Sequence, residues 1–201
     1  MHPNPRNRST ASVPSLRHVL VLLLLTLIGV WLFTTPYPPV KEYRLYFLED
    51  RTDASLDWGD LSHEWSEDRV REHFFGANVR CLSDQNRGAG VTRVCVVDLR
   101  TLNGVPTMTV NFLFSETGLQ RVATNIPWWS HRRGLDALVS TYGEPHAASS
   151  PEVAGEKRIL GWELPGRAAV FYNRDVDLSP LLTSSTQWTG PRSCGNLPCL
   201  R

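Results

Sequence analysis

The chain lacks the short motifs that usually betray an enzyme. It has no Gly-x-Ser-x-Gly elbow, so a serine hydrolase of that type would have no nucleophile turn. The position four residues after His63 is Glu67, so His63-Glu64 does not open a zinc-protease helix. No Cys-x-x-Cys pair occurs, which removes the redox motif and the usual zinc knuckle. Gly88-Ala89-Gly90 has no apolar strand before it and no helix pattern after it, so it does not read as a phosphate cradle. The 21 Lys and Arg nearly balance the 20 Asp and Glu, and no basic stripe invites nucleic acid. Asp57 with Asp60, and Asp175 with Asp177, lie in loop-like stretches. They read as solvated charges and not as an acid/base pair held at a set spacing. The sequence therefore predicts no catalytic residues, no metal and no cofactor.

One long apolar run is present. Val19 to Phe33 carries no charge and lies behind Arg6, Arg8 and Arg17. Each Leu, Ile, Val or Phe favours insertion by about 0.3–0.6 kcal/mol at a helix centre, so the run reads as a membrane anchor over 18–35. Fifteen residues at 1.5 Å each cover about 22 Å against about 30 Å of hydrocarbon, so flanking residues or local thinning must help. Trp31 and Tyr37 suit an interfacial belt. The arginine bias places the N-terminal tail, 1–17, in the cytoplasm and exports the remainder of the chain. The tail is polar and reads as disordered. A cleaved secretory signal is the rival reading, but no small-x-small site comes after Phe33. Pro36, Pro38 and Pro39 predict a stiff spacer over 36–44 with polyproline character.

All four cysteines lie beyond the run, where an exported chain can be oxidised. Cys81 with Cys95 and Cys194 with Cys199 are neighbours in sequence. Neighbour pairing is the simplest of three arrangements, and a four-cysteine zinc site is the competing one. The polar, glycine-rich stretch from Ser83 to Gly90 would be stapled by the first pair. The second would close a small loop in a C-terminal tail, 191–201.

The segment 45–190 predicts an α+β domain. Ser66 caps a first helix with Glu67 and Asp68 in its first turn. Trp65, Val70 and Phe74 form its apolar side and Gly76 its end. Strands come next at Val79–Leu82 and Thr92–Leu99, then an Asn103-Gly104 hairpin signal. The next strand puts Met108, Val110, Phe112 and Phe114 on one face, and Leu119–Ile126 comes after a turn at Ser115–Gly118. The theme restarts with Ser130 as cap and Leu135, Leu138, Val139 and Tyr142 as one stripe closed by Gly143. Strands at Arg158–Leu164, Arg167–Asn173 and Ser184–Thr189 complete it. The expected architecture is two layers, an antiparallel meander sheet packed on short helices after an N-terminal transmembrane helix. Its pattern suggests two αβββ repeats.

The order of elements, with the stop Tyr142-Gly143-Glu144-Pro145 and a tryptophan-bearing strand after it, resembles small bacterial envelope domains. These are the SmpA/BamE-like outer-membrane-assembly lipoproteins and the tandem β-lactamase-inhibitor-protein-like fold. No cysteine ends the apolar run, so the chain departs from the lipoproteins. The resemblance implies a non-catalytic, protein-binding domain on the periplasmic side of a bacterial inner membrane, with an envelope protein as partner. A small-ligand or lipid carrier is the alternative, and an enzyme ranks last.

Trp128, Trp129, Arg132 and Arg133 form the candidate partner-binding cluster. Arginines in a first helical turn oppose the macrodipole by about 0.3–1 kcal/mol each, so stability does not ask for them. Adjacent tryptophans on an extended segment point to opposite sides, which predicts one core anchor and one exposed ring. Exposed Trp beside Arg is the composition of interaction hot spots and also suits anionic headgroups.

Overall fold

A computed structural model of the chain describes residues 15–34, 38–83, 90–148, 158–174 and 183–190. It divides into two units, Met1–Lys41 and Glu42–Arg201. The expected C-terminal tail, 191–201, with the loop closed by Cys194 and Cys199, residues 1–14 of the expected N-terminal tail, and the Asp175/Asp177 pair lie outside the described residues.

In the first unit, the apolar run forms helix α1, Leu16–Thr34. From Leu16 to Val30 its leucines and valines are exposed. Thr26 and Thr34 each donate their hydroxyl to a carbonyl one turn back, so neither presents a loose polar group. Among the described residues no helix is long and apolar enough to cross a membrane. The charge-free stretch begins only after Arg17 and His18. The expected anchor is thus helical through Thr34, while the span itself is not shown.

The expected polyproline spacer is instead helical from its second proline, as α2, Pro38–Leu48. Proline is tolerated in a first turn because its missing N–H would have no intrahelical acceptor there. Tyr43, Tyr46 and Phe47 recur at i, i+3 and i+4, the helical spacing that the prolines masked.

The second unit contains two copies of one supersecondary pattern. The first is α3 (Glu67–His73) followed by β2 (Asn78–Ser83), β3 (Arg93–Leu102), β5 (Thr109–Ser115) and β6 (Gly118–Asn125). The second is α4 (His131–Tyr142) followed by β7 (His146–Ala148), β8 (Arg158–Glu163), β9 (Ala169–Arg174) and β10 (Ser185–Thr189). Each copy is one helix and a four-stranded antiparallel meander, so the expected αβββ unit gains a strand. The missed one in the second copy is the short β7 after the helix stop. The sheet joins the copies at their last strands, β6 beside β10, in the order β2-β3-β5-β6-β10-β9-β8-β7. That order reads the same from either end.

Two small additions depart from a pure meander. β1 (Thr52–Ala54) runs parallel to the far end of β3, and β4 (Val105–Pro106) pairs with the same end across the Asn103-Gly104 turn. Both turn residues have positive φ, 53° and 76°, as a two-residue hairpin of this hand requires. Asn103 also holds the chain leading from β1, accepting from the Leu56 amide and donating to its carbonyl, each at 2.8 Å.

Alternation along the strands separates the faces. One cross-strand row on the inner face reads Cys81, Cys95, Phe112, Val122, Trp188, Val170 and Trp162. From Cys95 onward all are buried. The helices close this core. Val70 and Phe74 of α3 pack with Phe112, and Leu138 of α4 joins the same cluster. Ser66 caps α3 as expected, its hydroxyl accepting from the Arg69 amide. Gly143 ends α4 with φ 81°, its amide on the Val139 carbonyl and its own carbonyl accepting from the Trp162 indole at 2.8 Å.

Candidate functional site

The copies place the same dipeptide before each helix, Trp65-Ser66 and Trp129-Ser130, and treat it differently. Trp65 lies in the core, stacked on Phe112 at 6.0 Å and 5° between planes, with its indole N–H on the Asp60 carbonyl. Arg69 sits 4.7 Å above its ring. Ahead of α4, residues Trp128–Ser130 form a 3-10 turn that runs on into the helix. Ser130 then has φ −109°, ψ 1° and makes no side-chain cap bond, contrary to expectation; its hydroxyl is buried without a hydrogen-bond partner among the described residues. The turn also defeats the expectation that one of the two tryptophans would be buried. Trp128 and Trp129 are 39% and 40% exposed.

What Trp129 meets is α2. Its ring stacks on Phe47 at 5.6 Å and 23°, and lies 5.5 Å from Tyr43 and 6.3 Å from Tyr46. Trp128 meets Trp129 edge-on at 6.0 Å. Hydrogen bonds tie this end of the chain to the sheet: the Tyr46 hydroxyl donates to the Arg100 carbonyl, the Arg100 guanidinium donates to Asp50 at 3.4 Å, and Arg51 donates to the Met108 carbonyl at 2.7 Å. Arg51 is buried, pairs with Glu49 and covers the Tyr46 ring. Burial raises the phenol pKa of both Tyr43 and Tyr46. Arg132 and Arg133 are exposed in the first turn of α4, which holds no acid, and Asp136 follows them at i+4 and i+3. The two tryptophans thus lie in one aromatic cluster with Tyr43, Tyr46 and Phe47, which the sequence pattern puts in a spacer and beyond it, and Arg132 and Arg133 follow in the first turn of α4.

The outer face of the sheet is a second candidate. A row opposite to the core reads Arg80, Val96, Asn111, Ala123, Gln187, Phe171, Gly161 and His146. From β2 to β10 its side chains are at least partly exposed, while Phe171 and Gly161 further along are buried. Polar groups on this face are held in place. Arg80 donates to both oxygens of buried Asp98, Asn78 donates to the same carboxylate, and Asn125 donates to Thr109.

Between α4, the 3-10 turn Trp58–Asp60 and the Asn103 hairpin lies a cleft of about 620 Å³. Leu102, Val105, Ile126 and Leu138 line it on the apolar side. Asp57, Asp60, Thr124, Tyr142 and Thr186 supply polar atoms. The Tyr142 hydroxyl donates to Asp57 at 3.3 Å. Burial, the Asp57 charge and that hydrogen bond push its phenol up to about 12. A neutral phenol beside a carboxylate gives a polar wall, not a base ready to act near neutral pH. The carboxylate of Asp57 is further occupied as the cap of its turn, accepting from Gly59.

No protein-family model, curated protein or solved structure matches this chain.

Cys81 and Cys95 are joined in a disulfide, directly opposite one another on β2 and β3. Glu67 lies near both sulfurs, and Arg71 donates to the Cys81 sulfur at 3.4 Å. With the sulfurs bonded to each other, neither thiolate is available to the metal site that such a trio would otherwise suggest.

Proposed function

We propose that this chain is a membrane-tethered, non-catalytic adaptor whose α+β domain stands outside the cytoplasm and binds another envelope protein across the open part of its sheet. The observation that carries the reading is the outer face from β2 to β10. It offers half-exposed Val96, Asn111, Ala123 and Gln187 in one row, flanked by polar side chains already fixed by their own hydrogen bonds. Fixed polar groups lose little freedom on association, which favours binding. Five strands at about 4.8 Å spacing and about 20 Å of strand length give roughly 500 Å². That is the lower end of an interface side, suited to a transient partner.

Two features support the tether. The described side chains of α1 are apolar nearly all round and exposed, a composition that needs either a core or lipid. The Cys81–Cys95 bond suits an oxidising compartment. A short anchor of this kind is accommodated by local thinning of the bilayer.

The test is site-specific photocrosslinking of the full chain in its native membrane. A crosslinker at Asn111, Ala123 or Gln187 should give one discrete protein adduct that a crosslinker at Asp136 on α4 does not. Adducts from Asp136 alone, or none from the sheet, would remove the reading. A second reading, a carrier of a small ligand, is favoured by the 620 Å³ cleft, whose size lies in the range of ligand sites. Native mass spectrometry showing a co-purified small molecule lost on Leu138→Trp substitution would support it.

A further inference from the structure

We propose that the surface built by α2 and the start of α4 docks on the anionic lipid headgroups of the membrane. This rests on the tethered reading above and adds a second contact to it. Phe47 is 67% and Leu48 68% exposed, and Trp128 and Trp129 keep two fifths of their surface in water although they pack on one another. So much apolar surface in one place calls for a covering. Tryptophan and tyrosine have an apolar body and a polar end, which suits the headgroup layer. Charge selects lipid of one sign. Arg132 and Arg133 are exposed in the first turn of α4, which holds no acid. Among the nearby acids, Glu49 pairs with Arg51 and Asp50 with Arg100, while Glu42 is exposed on α2. Asp136 is one turn further along α4 from Arg132.

The position in the chain argues for lipid over a protein occupant. Only residues 35–37 separate α1 from α2. Four Cα steps of about 3.6 Å and nine helical steps of about 1.5 Å let Phe47 lie no further than about 30 Å from the end of α1, whichever way the link turns. A helix anchored in a bilayer therefore holds this surface at high local concentration beside the headgroups, where even weak contacts are populated.

The experiment uses the full chain with Trp31→Phe, reconstituted in phosphatidylcholine vesicles with or without phosphatidylglycerol. The lipids are brominated near the headgroup end of the acyl chains, and tryptophan fluorescence is read. With phosphatidylglycerol present, a quenched fraction is expected that vanishes in the Trp128→Phe/Trp129→Phe chain and falls as salt is raised. Arg132→Gln/Arg133→Gln should weaken docking about fivefold per arginine with unchanged thermal unfolding. Quenching that is indifferent to phosphatidylglycerol, or that persists without both tryptophans, would overturn the proposal. Flotation and alkaline extraction separate the two readings. A chain released from the vesicles sinks the tether itself. A chain that stays embedded while Trp128 and Trp129 remain unquenched, or crosslink to a protein instead, sinks the docking alone.

Discussion

Substituting alanine for each of the two matched tryptophans measures how far the copies have diverged. Trp65 is 3% exposed, so its replacement removes about 200 Å² of buried apolar surface, or about 5 kcal/mol at 25 cal/mol/Å². It also leaves a closed cavity against Phe112 and frees the Asp60 carbonyl that its indole had satisfied. Trp129 keeps 40% of its surface in water, so the same arithmetic gives about 3 kcal/mol, and a denatured chain that is itself partly collapsed lowers both figures alike. Its neighbour Phe47 is itself largely exposed and can settle into the gap. Urea unfolding of the full chain in detergent, monitored by circular dichroism, should then show Trp65→Ala losing at least 2 kcal/mol more than Trp129→Ala. In thermal melts the two should differ by about 4–12 °C. Equal losses would refute the reasoning. They would mean that α2 closes a true core over Trp129 and that the patch is not a free surface.

Three further outcomes rest on single features. Replacing Cys81 and Cys95 by alanine should cost about 3 kcal/mol, because the bond closes a loop with a sequence separation of 14; an unchanged urea midpoint with and without reductant would contradict this. Gly118→Ala should cost about 2–4 kcal/mol, since φ is +123° and a Cβ there would lie 2.0 Å from the His63 carbonyl oxygen, whereas Gly104→Ala, with open space around it, should cost only about 1–2 kcal/mol by urea titration. Tyr142 holds its proton more tightly folded than unfolded, so its contribution is complete below pH 10 and is lost as pH rises toward about 12; Tyr142→Phe should flatten the stability profile in that window, and an unaltered slope would show that Tyr142 does not carry it.

The parts of the fold visible from sequence are those where a local rule and the tertiary contacts agree. Ser66 caps and Val70 and Phe74 turn inward because one helical stripe meets one sheet. Met108, Val110, Phe112 and Phe114 alternate into the core because a strand covered on one side admits no other register. Asn103-Gly104 turns where the dipeptide predicts it. The misreadings share a cause, which is context that changes the role of a residue. Prolines at 38 and 39 signal a break within a helix and a start at its first turn, and only Tyr43, Tyr46 and Phe47 beyond them decide between the two. β1 and β7 have three residues each, too few for a period to register. Ser130 has the chemistry of a cap, but the 3-10 turn ahead of it removes the extended backbone that capping needs. The patch residues were legible as a composition. Their aromatic neighbours on α2 were not, because that contact joins segments some eighty residues apart.

The position of the disulfide connects the compartment to the surface. Cys81 and Cys95 face each other on the core side of β2 and β3, and the next pair along, Arg80 with Val96, faces outward. Sheet side chains alternate with a period of two, so a slip of β2 by one residue against β3, which β5 holds in place, would turn Arg80 inward and Val79 and Cys81 outward. Among the described residues β2 pairs only with β3, and the sequence between them is rich in turn-forming residues, so the pairing there has little besides its own side chains to fix it. A covalent bond across one opposed pair removes the slipped alternative, and the Arg80–Asp98 ion pair at 2.8 Å holds the same register from the outer face. Without the disulfide, the Arg80–Asp98 ion pair and the Asn78–Asp98 hydrogen bond would remain. Arg80 is more than half exposed there, and such pairs contribute about 0–1 kcal/mol. The disulfide therefore holds the pattern of the face proposed to bind a partner, and reducing it is expected to loosen β2 before any other strand of that face.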